Sequence, residues 1–154
     1  MSEAASEQIE RRFDEVYRTL LTIASVMMPF SFNLYRDTLG INFFIELFFT
    51  LVLSILMWSF AHLLWNKDGL FESLEYECKL VAWHLLSYSL VISFARLITG
   101  QMLIPTPYRY VALFFIILPT YLLTKRFKRA DIISKNANKK LFWPIMLWTM
   151  YMML

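Results

Sequence analysis

The stretch INFFIELFFTLVLSILMWSFAHLLW, residues 41–65, decides how this chain is read. It exceeds the roughly 20 apolar residues needed to cross about 30 Å of hydrocarbon. Only Glu46 and His62 bring titratable groups into it. A core helix of a soluble domain would show a wide polar face at helical spacing, and in this run polar groups are sparse.

Working outward, other apolar runs lie between glycines at 40, 69 and 100, each in a polar or turn-like interval. Taken as loop markers, these residues divide the chain into spans near 18–36, 41–65, 79–99 and 108–124. With 58% hydrophobic and 18% aromatic residues in 154, the composition is far from the soluble balance. The expected fold is an all-α integral membrane protein with four transmembrane helices in an up-down bundle, residues 18–124. Gly is absent from every span, so close packing falls to Ala and Ser rather than to GxxxG contacts. Pro29 and Pro119 are expected to kink the first and fourth spans.

Residues 1–17 form an acidic, polar lead-in without a basic n-region or a small-residue cleavage site, so no cleavable signal peptide is expected. Ile9, Phe13, Val16 and Leu20 fall on one helical face, which predicts a cytoplasmic amphipathic helix lying on the membrane or extending the first span. Residues 125–140 form a basic cytoplasmic segment. The tail LFWPIMLWTMYMML, residues 141–154, would be about 21 Å long as a helix, short for a crossing. It is expected to be interfacial or re-entrant, with a fifth, distorted span as the alternative.

Orientation follows from the basic residues. With four spans, one side collects Arg11, Arg12, Arg18, Lys67, Lys79, Lys125, Arg126, Lys128, Arg129, Lys135, Lys139 and Lys140, and the other only Arg36, Arg96 and Arg109. The positive-inside rule makes the N-terminus cytoplasmic.

The polar groups inside the spans narrow the chemistry. Read as antiparallel neighbours, the second and third spans bring Glu46 and Arg96 to one depth and His62 and His84 to another, within about 6 Å of axial offset. A lone carboxylate in hydrocarbon is costly, so Glu46 and Arg96 are expected to form an intramembrane ion pair, or part of an ion pathway. Thr50 and Ser54 with Ser87, Ser89 and Ser93 form a polar vein through the same hairpin. His62 and His84 read as neutral structural residues; the sharper readings are a proton relay or the two axial ligands of a b-type haem. No cofactor is required by any of this. Two His without nearby Cys leave a zinc site incomplete, and the single Cys78 excludes an internal disulfide.

Lys125, Arg126, Lys128, Arg129, Lys139 and Lys140 have the charge to meet anionic lipid headgroups, or a partner's acidic surface. A nucleic-acid role lacks a folded module to present them. HExxH, GxSxG and Walker patterns are missing, so an enzyme is not expected. The sequence therefore points to a non-catalytic subunit or scaffold of a membrane complex, associating with other membrane subunits or with itself. The alternatives are a homo-oligomeric ion channel or proton-coupled transporter built on Glu46/Arg96 and His62/His84, and a haem-binding anchor.

Overall fold

A computed structural model describes residues 3–64 and 70–129, together with Leu147, Thr149 and Tyr151. It is an all-α, four-helix bundle: α1 Glu3–Leu39, α2 Ile41–Leu64, α3 Leu70–Thr99 and α4 Thr106–Arg129. Contacts between neighbours run in opposite senses. Phe32 of α1 meets Phe44 of α2 while Tyr17 meets Trp58; Glu46 of α2 meets Arg96 of α3 while Ser54 meets Ala82. Successive helices are thus antiparallel. The central element is α3, which packs against each of the other three, most extensively against α2.

The two tight corners are made by glycine. Gly40 and Gly100 adopt φ of 75° and 64°, the left-handed region that side chains rarely enter. Their amides bond back to Arg36 O at 3.1 Å and Arg96 O at 2.8 Å, which caps α1 and α3 in the αL manner.

Helix ends differ from the spans read in the sequence. The lead-in and first span are one unbroken helix of 37 residues, about 55 Å at 1.5 Å per residue. The third helix starts at Leu70 rather than 79, and the fourth continues through Lys125–Arg129. An apolar run marks where a helix would meet hydrocarbon; good helix formers such as Glu, Leu, Lys and Arg extend the backbone beyond it. Pro29 and Pro119 both lie inside continuous helices. Residues 130–146, and with them most of the basic segment and the start of the tail, lie outside the described residues.

Among the described residues the core has three parts. Tyr17 and Ala24 of α1 pack with Leu47, Leu51 and Trp58 of α2 and with Trp83 and Leu86 of α3. Its centre is a stack of Tyr17 on Trp58, centroids 3.9 Å apart, with Trp83 edge-on to Tyr17 at 5.7 Å. Tyr88, Ile92, Ala112 and Ile116 join α3 to α4, and Leu39, Phe43 and Phe44 fill the end near Gly40. The face of α1 differs by one position from the aliphatic stripe of its sequence: Val16 is exposed and Tyr17 is buried. Tyrosine can take the core position here because its hydroxyl has a partner there, Ser54.

By length and composition, α2 and residues Glu77–Thr99 of α3 could cross a membrane. The outward side of α2 carries Ile45, Phe48, Phe49, Leu53, Leu56, Phe60 and Leu63, all exposed.

Candidate polar site within the bundle

Glu46 projects from the second turn of α2 toward the last turn of α3. Arg96 Nη1 lies 2.7 Å from Glu46 Oε2. The guanidinium is held from two further sides: Nε donates to Met102 O at 3.1 Å, and the cation sits 5.6 Å from the centroid of Phe43, within the range where a ring face attracts it. The Tyr88 hydroxyl donates to the other carboxylate oxygen, Oε1, at 3.3 Å. Charge-assisted bonds of this kind favour the ionised pair over two separated charges. The Arg96 side chain is 14% exposed and that of Glu46 is 36% exposed, so the carboxylate sits at the edge of the bundle and the guanidinium inside it.

Beside the pair is a cavity of about 10 Å³ lined also by Thr50, Ser89 and Ser93, about the size that one water needs. The other polar positions mostly bond to backbone. Thr50 donates to Glu46 O at 2.7 Å, and Ser93 donates to Ser89 O. Ser54 donates to Ala82 O at 2.8 Å, across the α2–α3 contact. With its single proton so used, Ser54 Oγ accepts the Tyr17 hydroxyl at 2.7 Å. Ser87 and Ser89 are buried, and Ser89 Oγ has no hydrogen-bond partner. Thr50, Ser89 and Ser93 thus border one small cavity, while Ser54 bonds further along the hairpin, to Tyr17 and Ala82, and none of these bonds joins one hydroxyl of the vein to the next.

The two histidines face different neighbours. His84 is fully buried between α3, α4 and the C-terminal segment: Nδ1 lies 3.0 Å from Thr120 Oγ1 and Nε2 lies 2.6 Å from Thr149 Oγ1. Thr120 directs its own proton to Ile116 O, which favours an Nδ1–H tautomer with Nε2 accepting from Thr149. His62 is half-buried and lies edge-on to Trp58, centroids 5.5 Å apart. A bis-imidazole iron site needs one lone pair from each ring aimed into shared space. Both His84 nitrogens already meet hydroxyls, so these residues do not fit a haem.

On the cytoplasmic side of the sequence reading, Lys79 Nζ lies 2.9 Å from Glu75 Oε1, one turn earlier, and both side chains are buried. Lys125 is exposed. Arg126, Lys128 and Arg129 belong to the last turns of α4, where the backbone alone is described; Lys139 and Lys140 lie outside the described residues. Tyr17, Tyr88, Phe43, Thr120 and Thr149 were not singled out as site residues from the sequence. Tyr88 had a signal: it stands two turns before Arg96 on the same face of α3. The role of Thr149 had none, since its partner is 65 residues away.

No protein-family model matches the chain, and no curated protein or solved structure is significantly similar to it.

Proposed function

We propose that the chain is a polytopic membrane protein, its four helices crossing the bilayer with the N-terminus cytoplasmic, and that it serves as a non-catalytic helical subunit or scaffold of a membrane assembly. The observation that carries this reading is the inverted distribution of polarity on α2. Only 33% of its most apolar window is buried, whereas the core helix of a soluble protein would hide most of it. Its polar group Glu46 turns inward to Arg96 and Tyr88, and its large aliphatic and aromatic groups turn out. Lipid or another membrane helix is the solvent that suits such a surface. The bias of basic residues toward one end supports the orientation.

The subunit reading draws on the way the polar groups are used. The ion pair, the Ser54 bonds and the His84 bonds each join one helix to another, which is the work of architecture. A second reading, an oligomeric channel or proton-coupled carrier, is favoured by the small cavity at Glu46 and requires several copies, because four helices of this size enclose no wide path.

Purification in mild detergent, with mass and absorbance read together, tests the proposal on wild type and Glu46→Gln. The subunit reading expects a colourless wild type in a complex of fixed composition, and a variant with lowered abundance or lost assembly. A homo-oligomer whose ion flux in liposomes changes with Glu46→Gln, at unchanged abundance, overturns it in favour of the channel.

A further inference from the structure

The cavity beside Glu46 and Arg96 lies in the contact between α2 and α3. Glu46 and Thr50 line it from α2, and Tyr88, Ser89, Ser93 and Arg96 from α3. Ser89, Ser93 and Arg96 follow one another at helical spacing, so the short Ser89 side chain stands on the stripe that carries Arg96 to the carboxylate.

Ser89 is 3% exposed, and among the described residues its hydroxyl has no hydrogen-bond partner. The neighbouring hydroxyls have all committed their protons. Thr50 donates to Glu46 O, Ser93 to Ser89 O and Tyr88 to Glu46 Oε1. Thr50 and Ser93 therefore have only lone pairs left to offer, as does the carboxylate, whereas Ser89 keeps a proton as well. A polar group buried without a partner costs the hydration it has lost, and native folds seldom leave one in that state.

We propose that this cavity binds one ordered water molecule, which accepts the Ser89 proton and donates across the contact to Glu46 or Thr50, joining α3 to α2. Size and charge select this ligand. The volume of about 10 Å³ is close to the least that one water needs and leaves no room for a larger molecule. The rim holds a carboxylate and a guanidinium 2.7 Å apart, so its charges cancel. A sodium ion would be set against Arg96, and a chloride against Glu46. Water is uncharged, and its protons and lone pairs match a rim that offers one free hydroxyl proton and several acceptor oxygens. This inference goes beyond the subunit reading and does not rest on it, since the cavity is internal to the α2–α3 hairpin whatever surrounds the bundle.

The test uses the full chain in mild detergent, crystallised in parallel from sodium chloride and from choline chloride, to a resolution that shows ordered water. The expected result is one peak within hydrogen-bond distance of Ser89 Oγ and of an oxygen of Glu46 or Thr50, the same in both salts. A second measurement needs no crystal. If the hydroxyl bonds to water, Ser89→Ala removes a hydrogen bond and is expected to lower the folding equilibrium constant about fivefold in denaturant titration. A dry hydroxyl gives the opposite sign, because alanine then removes an unpaired polar group. A raised folding constant in Ser89→Ala, or a crystal that lacks the peak or shows Ser89 Oγ bonded directly to protein, overturns the water site. So does a peak present in sodium and absent in choline, which would make the ligand a cation.

Discussion

At Glu46 the sequence raised a cost and the fold shows how it is met. Arg96 accounts for one carboxylate oxygen and Tyr88 for the other. Removing the arginine alone strands a carboxylate, which is worse than removing both charges. Arg96→Met is thus expected to destabilise the bundle by about 1–3 kcal/mol, the exposure of Glu46 keeping it below the cost of a fully buried break. The double variant Glu46→Gln/Arg96→Met should recover part of that loss, and denaturant titration in detergent measures both. At His84, Thr149→Val takes away the donor that faces Nε2 and leaves a buried acceptor without it, an expected loss of about 1–3 kcal/mol by the same titration. These two sites differ in how far they could be foreseen. Glu46 and Arg96 were legible because a hairpin of two antiparallel helices makes depth a simple function of residue number. What stayed out of view at His84 was its partners, Thr120 and Thr149, because depth says nothing about azimuth.

Among the elements, α1 takes one of the two courses its sequence left open, the lead-in running on into the first span as one helix. Helical hydrogen bonds do not register the shift from polar to apolar residues near Arg18, and no breaker lies there. The buried position is Tyr17, whose two ring partners and hydroxyl acceptor all come from α2 and α3. Tyr17→Phe is expected to cost about 1 kcal/mol, one hydrogen bond, and Tyr17→Ala about 3–5 kcal/mol, since the space left between Trp58 and Trp83 adds a cavity. Denaturant titration of the pair separates the hydroxyl from the ring. The corners are a second element-scale test. A Cβ at Gly40 or Gly100 would meet nothing within 4 Å, so the penalty for Ala there is backbone strain alone, about 1–2 kcal/mol at each site. If Gly40→Ala proved neutral, the left-handed cap would not be what ends α1. The glycines were readable as corners because nothing else in the chain relieves φ at those points.

For the whole molecule, the bundle is organised around α3, and the α2–α3 hairpin holds the largest contact. Composition indicated a helical bundle with apolar surface, and the hairpin order followed from short connections between long helices. What composition could not convey is which faces meet, since α2 and α4 are apolar nearly all round and their periodicity carries little direction. The faces are set instead by sparse polar residues and by Tyr and Trp, each of which has few acceptable neighbours. On the proposed membrane reading, the chain should stay in the pellet after alkaline carbonate washing, and a version with Phe48, Phe49, Leu53 and Leu56 changed to Ser should be released or lost. Its polar core would be unchanged, so the loss would trace to the outer surface.

The bond between His84 and Thr149 spans 65 residues. During translation at about 5–20 residues per second, α3 is made roughly 3–13 s before the threonine that meets its imidazole. Through that interval the ring nitrogen has only water or a passing hydroxyl to bond, so α1–α4 can assemble their backbone order before the last polar contact exists. Among the described contacts of His84, the one to Thr149 is therefore the last that synthesis can supply.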